Sequence, residues 1–169
     1  MRASNTQGVE RESVWRDTDG SAMLEMAASS MVVLLAILGV MECSRALYVE
    51  HAIGGAARDA ARYAMVRGSS WTGTACASTT TFSCDATASD VQAYVQSVLP
   101  PGVASSSLTI STTWSGQTAA GTACDTADGM NSPGCTVQVT LMYPFTFLLP
   151  LPSKAAIQFR GNAAMTISQ

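Results

Sequence analysis

The sequence predicts an α+β protein: a long N-terminal helix that crosses a membrane, continuing into a small domain with an antiparallel β-sheet. Two observations carry this. Residues 20–68 run without proline through an apolar stretch into an Ala- and Arg-rich helical pattern. Three short alternating stretches then follow, with no helical pattern between them long enough for a crossover, which implies an antiparallel meander. Charged residues make up only 12% of the 169-residue chain, net charge is −3, and mean hydropathy is +0.21. The apolar weight sits at residues 22–41, so a membrane segment explains it better than a large core. No basic patch is present, which excludes nucleic acid as a natural partner.

Residues 1–20 are polar with mixed charge: Arg2, Arg11 and Arg16 stand against Glu10, Glu12, Asp17 and Asp19. They read as a cytoplasmic leader rather than a secretory signal, whose first region is basic. Residues 21–67 are the long helix, with residues 22–41 its membrane span. Twenty residues suffice for a hydrocarbon core of about 30 Å. The proline-free stretch of about 45 residues could form one rod of roughly 65–70 Å.

Glu25 is the single carboxylate near the front of the apolar run. Burying it at mid-bilayer would cost about 2.5–3.5 kcal/mol. It is therefore either solvated at headgroup level in the first helical turn, favoured there by the macrodipole, or paired with a cation from another chain. A cut after Gly20 would create such a cation, the new amine of Ser21.

Beyond the span, Ile53, Ala56, Ala57, Ala60, Ala61 and Ala64 form one apolar stripe at helical spacing, with Arg58, Asp59 and Arg62 beside or opposite it. Small residues permit close approach of another element. Gly54 and Gly55 weaken the helix by up to about 1 kcal/mol each and mark a flexible joint. His51 has no catalytic companion in the sequence and reads as a solvated helix residue.

Residues 68–169 are the β-rich domain. Residues 68–89 form a Ser/Thr-rich loop; Ser89 or Asp90 caps a short helix over 91–99, which ends at Pro100-Pro101. Strands are expected over 108–114, over 135–143, and near 157–166, the last interrupted at Gly161-Asn162. Between the last two lies the apolar stretch PFTFLLPLP, broken by three prolines.

Cys76, Cys84, Cys124 and Cys135 lie beyond the apolar segment, which suits an oxidising compartment and places the C-terminal part outside the cell membrane. Four cysteines allow three connectivities. Local pairing, Cys76–Cys84 and Cys124–Cys135, is expected because each closes a short loop rich in small residues. Metal ligation is the alternative, but the usual C-x₂₋₄-C spacing is missing. Asp125 and Asp128 lack the closing Glu of a Ca²⁺ loop. Neither a metal nor another cofactor is expected. Cys43 is the odd thiol, at the outer edge of the span.

With Gly20, Glu25 five positions on, the apolar run and then ECSRALYVEHAIGGAARDAARYA over 42–64, the chain resembles the TadE-like minor pilins (pseudopilins) of the tight-adherence, or Flp/Tad, pilus. The block carries the family's Glu before Arg, its Tyr and its AAR-x-x-AR element as Glu42, Arg45, Tyr48, Ala57, Arg58, Ala61 and Arg62. The resemblance implies several things. A prepilin peptidase would cut between Gly20 and Ser21. Glu25 would aid assembly by pairing with a neighbouring subunit's amine. The chain would be a single-pass protein of the bacterial inner membrane, its N-terminus cytoplasmic and its C-terminal domain periplasmic. Its partners would be other pilin subunits, the assembly platform, the peptidase and the lipid bilayer. Met26 departs from the family, where an aromatic often follows the glutamate.

Two other function classes compete with this structural role. One is a bitopic, membrane-anchored periplasmic hydrolase unrelated to pili. With one histidine, on the helix, a Ser–His or Cys–His pair is hard to build, and Asp85, Asp90, Asp125 and Asp128 read as solvated loop acids. The other is an anchored binding or sensor module, which would usually carry a larger cytoplasmic domain. The expectation is therefore not an enzyme.

Overall fold

The computed structural model describes residues 18–71, 85–148 and 156–168. Its elements are α1 (Thr18–Val66), α2 (Ala88–Val98), β1 (Thr109–Ser115), β2 (Thr136–Phe145) and β3 (Ile157–Thr166), with a 3-10 turn at Ser105–Ser107 before β1. The architecture is α+β, a long apolar helix followed by a three-stranded antiparallel sheet of order β1-β2-β3. The chain divides into two compact units, Met1–Met41 and Glu42–Gln169.

In the first unit, α1 exposes large apolar side chains on all sides, from Met23 to Met41. Among the described residues none covers them, and α1 is long and apolar enough to cross a bilayer by length and composition.

The second unit begins at Glu42, within α1. The sheet is one-sided. Ile110, Thr112 and Trp114 of β1, Val137, Val139, Leu141 and Phe145 of β2, and Gly161 and Ala163 of β3 alternate onto the inner face, in register through Ile110↔Leu141 and Leu141↔Gly161. Thr109, Ser111, Gln138 and Asn162 take the other face, where the Gln138 and Thr140 side chains donate to Asn162 Oδ1. The inner face shares its core with Val49, Ile53, Ala56, Ala57, Ala60, Ala61 and Ala64 of α1 and with Val91 and Val95 of α2. The alanine stripe expected from the spacing is thus the buried face of the helix.

α1 runs along the sheet. Near its start in this unit Arg45 reaches Thr146, midway the Ile53 carbonyl lies under Gly161, and near its end the Met65 carbonyl accepts from Ser168 N. Beyond its end, the carbonyl of Arg67 is satisfied from two sides. Asn131, at φ 60°, donates from Nδ2 at 3.0 Å, and Ala86 N donates at 2.8 Å.

Four local expectations are corrected. The short helix is capped by Thr87, not by Ser89 or Asp90. Asp90 is the third helical residue, and its carboxylate accepts from Thr87 N while Thr87 Oγ1 accepts from Asp90 N, a capping box. β3 runs through Gly161-Asn162 without interruption, because the glycine is where helix and strand touch rather than where the strand breaks. β2 continues through Pro144, two residues past Met142, the last β2 residue paired with β1. A missing N–H is harmless there. α1 passes Gly54-Gly55 as unbroken helix, so no joint interrupts it.

Candidate assembly site: the front of α1 and the motif block

At the front of α1, Gly20, Ser21 and Glu25 are all exposed. The Gly20–Ser21 bond lies in the first turn, since α1 begins at Thr18. A Cβ at Gly20 would meet no atom within 4 Å, so nothing in the fold requires glycine there. Glu25 stands seven residues into α1, beyond the first turn expected for it. Helix-end charge acts within that turn, so in this chain it does not stabilise the carboxylate. Its neighbours Leu24 and Met26 are exposed and apolar. In a bilayer Glu25 would be a carboxylate among apolar side chains, a position that favours a cationic partner.

The motif block splits into two jobs. Glu42, Arg45 and Tyr48 fasten the start of the second unit. Glu42 is buried, and its Oε2 accepts from Arg45 Nη2 at 2.9 Å. The same Nη2 donates to the Thr146 carbonyl at 2.6 Å, and the guanidinium lies 4.4 Å from the centroid of the Phe145 ring. Phe145 in turn meets Phe147 edge-on and Phe159 at a tilt. The Tyr48 hydroxyl donates to the Pro101 carbonyl at 3.3 Å. One cation thus satisfies a buried carboxylate, takes up a carbonyl at the end of β2 and covers an aromatic face.

Ala57 and Ala61 do the packing and are fully buried. Arg58 and Arg62 of the same AAR-x-x-AR element are exposed. The arginines are thus free of the core and open to partners, while the alanines set how near the sheet lies.

A second aromatic–cation group closes the other end of α1. Arg67 lies 4.8 Å from the Tyr63 ring and 4.9 Å from the Trp71 ring, and Tyr63 stacks on Tyr94 at 4.4 Å. Burial pushes the Tyr63 phenol above its ordinary value, against the opposing pull of the Arg67 cation. No local pattern in the sequence gives Arg67, Phe145 or Asn131 these roles, and Gly161 reads there only as an interruption of the last strand. Only Arg67, at the close of a helical pattern, offered a local hint.

Cys124 and Cys135 form a disulfide, with Cα atoms 5.7 Å apart and both residues buried. Cys76 and Cys84 lie outside the described residues. Cys43 is a free, exposed thiol on α1. His51, Asp125 and Asp128 are exposed, and among the described residues no three His, Cys, Asp or Glu side chains gather as a metal site would require.

Comparison with known proteins matches residues 20–62 to the family described as TadE-like protein. The match takes in Gly20, Glu25 and the motif block as far as Arg62 and stops before the sheet. Neither curated proteins nor solved structures give a match. Over residues 20–62, therefore, the chain is similar to the TadE-like family.

Proposed function

We propose that this chain is a minor pilin or pseudopilin, a structural or assembly component of a Tad/Flp adhesion pilus or a related secretion fibre. The observation that carries the reading is the coincidence, in one helix, of the TadE-like match over residues 20–62 with the uncovered apolar span at its front. Residues 1–20 are then a cytoplasmic prepilin leader, removed between Gly20 and Ser21. Residues 21–67 are the helix, and residues 68–169 lie in the periplasm with the sheet. Glu25 meets the free amine of Ser21 on a neighbouring subunit, which relieves the cost of a carboxylate in lipid. Other pilins, the inner-membrane platform and the prepilin peptidase are its partners. The exposed Arg58 and Arg62 are available to subunits that pack beside the helix.

The test is mass spectrometry of the mature chain from its native host. The expected N-terminus is Ser21, and the cut is lost in Gly20→Ala or when the prepilin peptidase is deleted. Because alanine fits at position 20 without a clash, loss of cutting would report on the peptidase and not on the fold. Glu25→Ala should still enter the membrane but be absent from purified pili. A chain that begins at Met1 in piliated cells, with normal piliation in Glu25→Ala, would leave only a membrane-anchored periplasmic protein.

A further inference from the structure

The alanines of α1 fill its sheet side, but its exposed side holds charge that the unit does not use. Gly55, Arg58 and Arg62 follow one another at steps of three and four residues, one line along the helix. Arg58 and Arg62 are exposed, and among the described residues neither has an ion-pair partner. Like charges four residues apart weaken a helix. Asp59 stands about 100° further round it than Arg58 and pairs with neither arginine. A Cβ at Gly55 would meet no atom within 4 Å, so the line begins on bare helix surface that another chain can approach closely.

The opposite charge stands on the loop between β1 and β2. Asp125 and Asp128 are exposed there, and among the described residues they too have no ion-pair partner. Their loop is held in shape. The Cys124–Cys135 disulfide closes it, Thr126 Oγ1 donates to the Ala123 carbonyl at 2.6 Å, and Met130 N donates to the Thr126 carbonyl at 2.9 Å. Gly129 is buried so tightly on the Ala123 carbonyl that no Cβ would fit. Asn131 then ties the loop to the end of α1 through the Arg67 carbonyl. Both carboxylates are therefore presented by ordered backbone, and little ordering remains to be done on contact.

We propose that the Gly55–Arg58–Arg62 line of one copy receives the Asp125–Asp128 loop of a second copy, as a repeating contact between identical chains. The inference rests on the pilin reading and names one contact between such subunits. Charge complementarity carries it: both signs are displayed on one unit, and neither is neutralised within it among the described residues. A second copy is chosen over another protein because this chain supplies both halves. The two surfaces are different parts of the unit, so the contact is heterologous. Each copy gives its arginines to one neighbour and its aspartates to the next, and the series extends unless its rotation closes a ring.

The experiment follows self-association of the full chain, with Cys43→Ser to prevent a bridge through that thiol, by sedimentation velocity in non-ionic detergent. The expected result is association at low salt that is lost at about 1 M, where the screening length is about 3 Å. Arg58→Glu with Arg62→Glu should weaken association about tenfold or more, and so should Asp125→Lys with Asp128→Lys. The chain with all four changes exchanges the two signs and should associate like the parent. Near-UV circular dichroism checks the fold of each variant. Should a reversed pair unfold, Arg58→Gln with Arg62→Gln carries the test, again with weakened association expected. A parent that stays monomeric at low salt, charge-reversed pairs that associate as the parent does, or a fourfold variant that does not recover would each overturn the proposal. The pilin reading is decided separately, by the Ser21 N-terminus of the native chain. Recovery in the fourfold variant of a chain that its host never cuts would keep this contact and remove the pilin.

Discussion

Arg45 is the residue on which most depends. Its partner Glu42 keeps only 11% of its side chain exposed, while Arg45 keeps 39%, so solvent discounts the pair but does not dissolve it. Removing the arginine strands a nearly buried carboxylate and the Thr146 carbonyl and uncovers the Phe145 ring. Arg45→Met should therefore destabilise the full chain in detergent by about 1–3 kcal/mol, and Glu42→Gln by less than about 1 kcal/mol. The double variant should cost less than the two single changes added together. Urea unfolding followed by near-UV circular dichroism measures all three, and equal, additive costs would contradict the joint role.

Tyr63 gives the pH dependence. Its pKa in the folded chain lies above the ordinary 10.0 because burial disfavours the phenolate, with Arg67 opposing in part. A raised value means that the folded state holds the proton more tightly than the unfolded chain. That stability is complete below about pH 10 and is lost as the pH rises through the folded value. Melting temperatures of the native chain should fall more steeply above pH 10 than those of Tyr63→Phe. Parallel curves would remove Tyr63 as the cause.

Two glycines separate packing from propensity. A Cβ at Gly161 would stand 2.6 Å from the Ile53 carbonyl oxygen, backbone that cannot step aside cheaply. Gly161→Ala should cost about 1–3 kcal/mol or more through forced separation of α1 from β3. A Cβ at Gly55 would meet nothing within 4 Å, inside a continuous helix. Gly55→Ala should raise stability by up to about 1 kcal/mol. Thermal unfolding of both variants checks the opposite signs. The same pair explains what was legible in the sequence. The stripe from Ile53 to Ala64 repeats at the period of its own helix, so its burial could be read locally, as could the alternation in β1 and β2. Gly161 looked like an interruption because its reason, the Ile53 carbonyl, comes from an element more than a hundred residues earlier. Thr87, Ser89 and Asp90 are all residue types that can cap, and only the backbone decides that Thr87 does.

The chain joins an apolar helical front that no described residue covers to a unit with its own core. It should stay with the membrane pellet in alkaline carbonate and be released only by detergent, and Glu25→Ala should behave identically. Release by carbonate would contradict a spanning helix. The candidate site was legible where its parts are near one another in sequence: Gly20 with Glu25, and the block from Glu42 to Arg62. The fastening of Arg45 to Phe145 and Thr146 was not, because a hundred residues separate the partners and no local pattern marks either as the other's counterpart.

The course of α1 along the sheet has a mechanical consequence. On the proposed pilin reading, a fibre under tension would draw on the chain through its helix, and that load would reach the sheet unit lengthwise, along the surface α1 shares with it. Contacts at Arg45, Ile53 and Met65 would then resist together in shear, instead of peeling apart one after another. A chain built this way would hold against traction better than one whose contacts break singly.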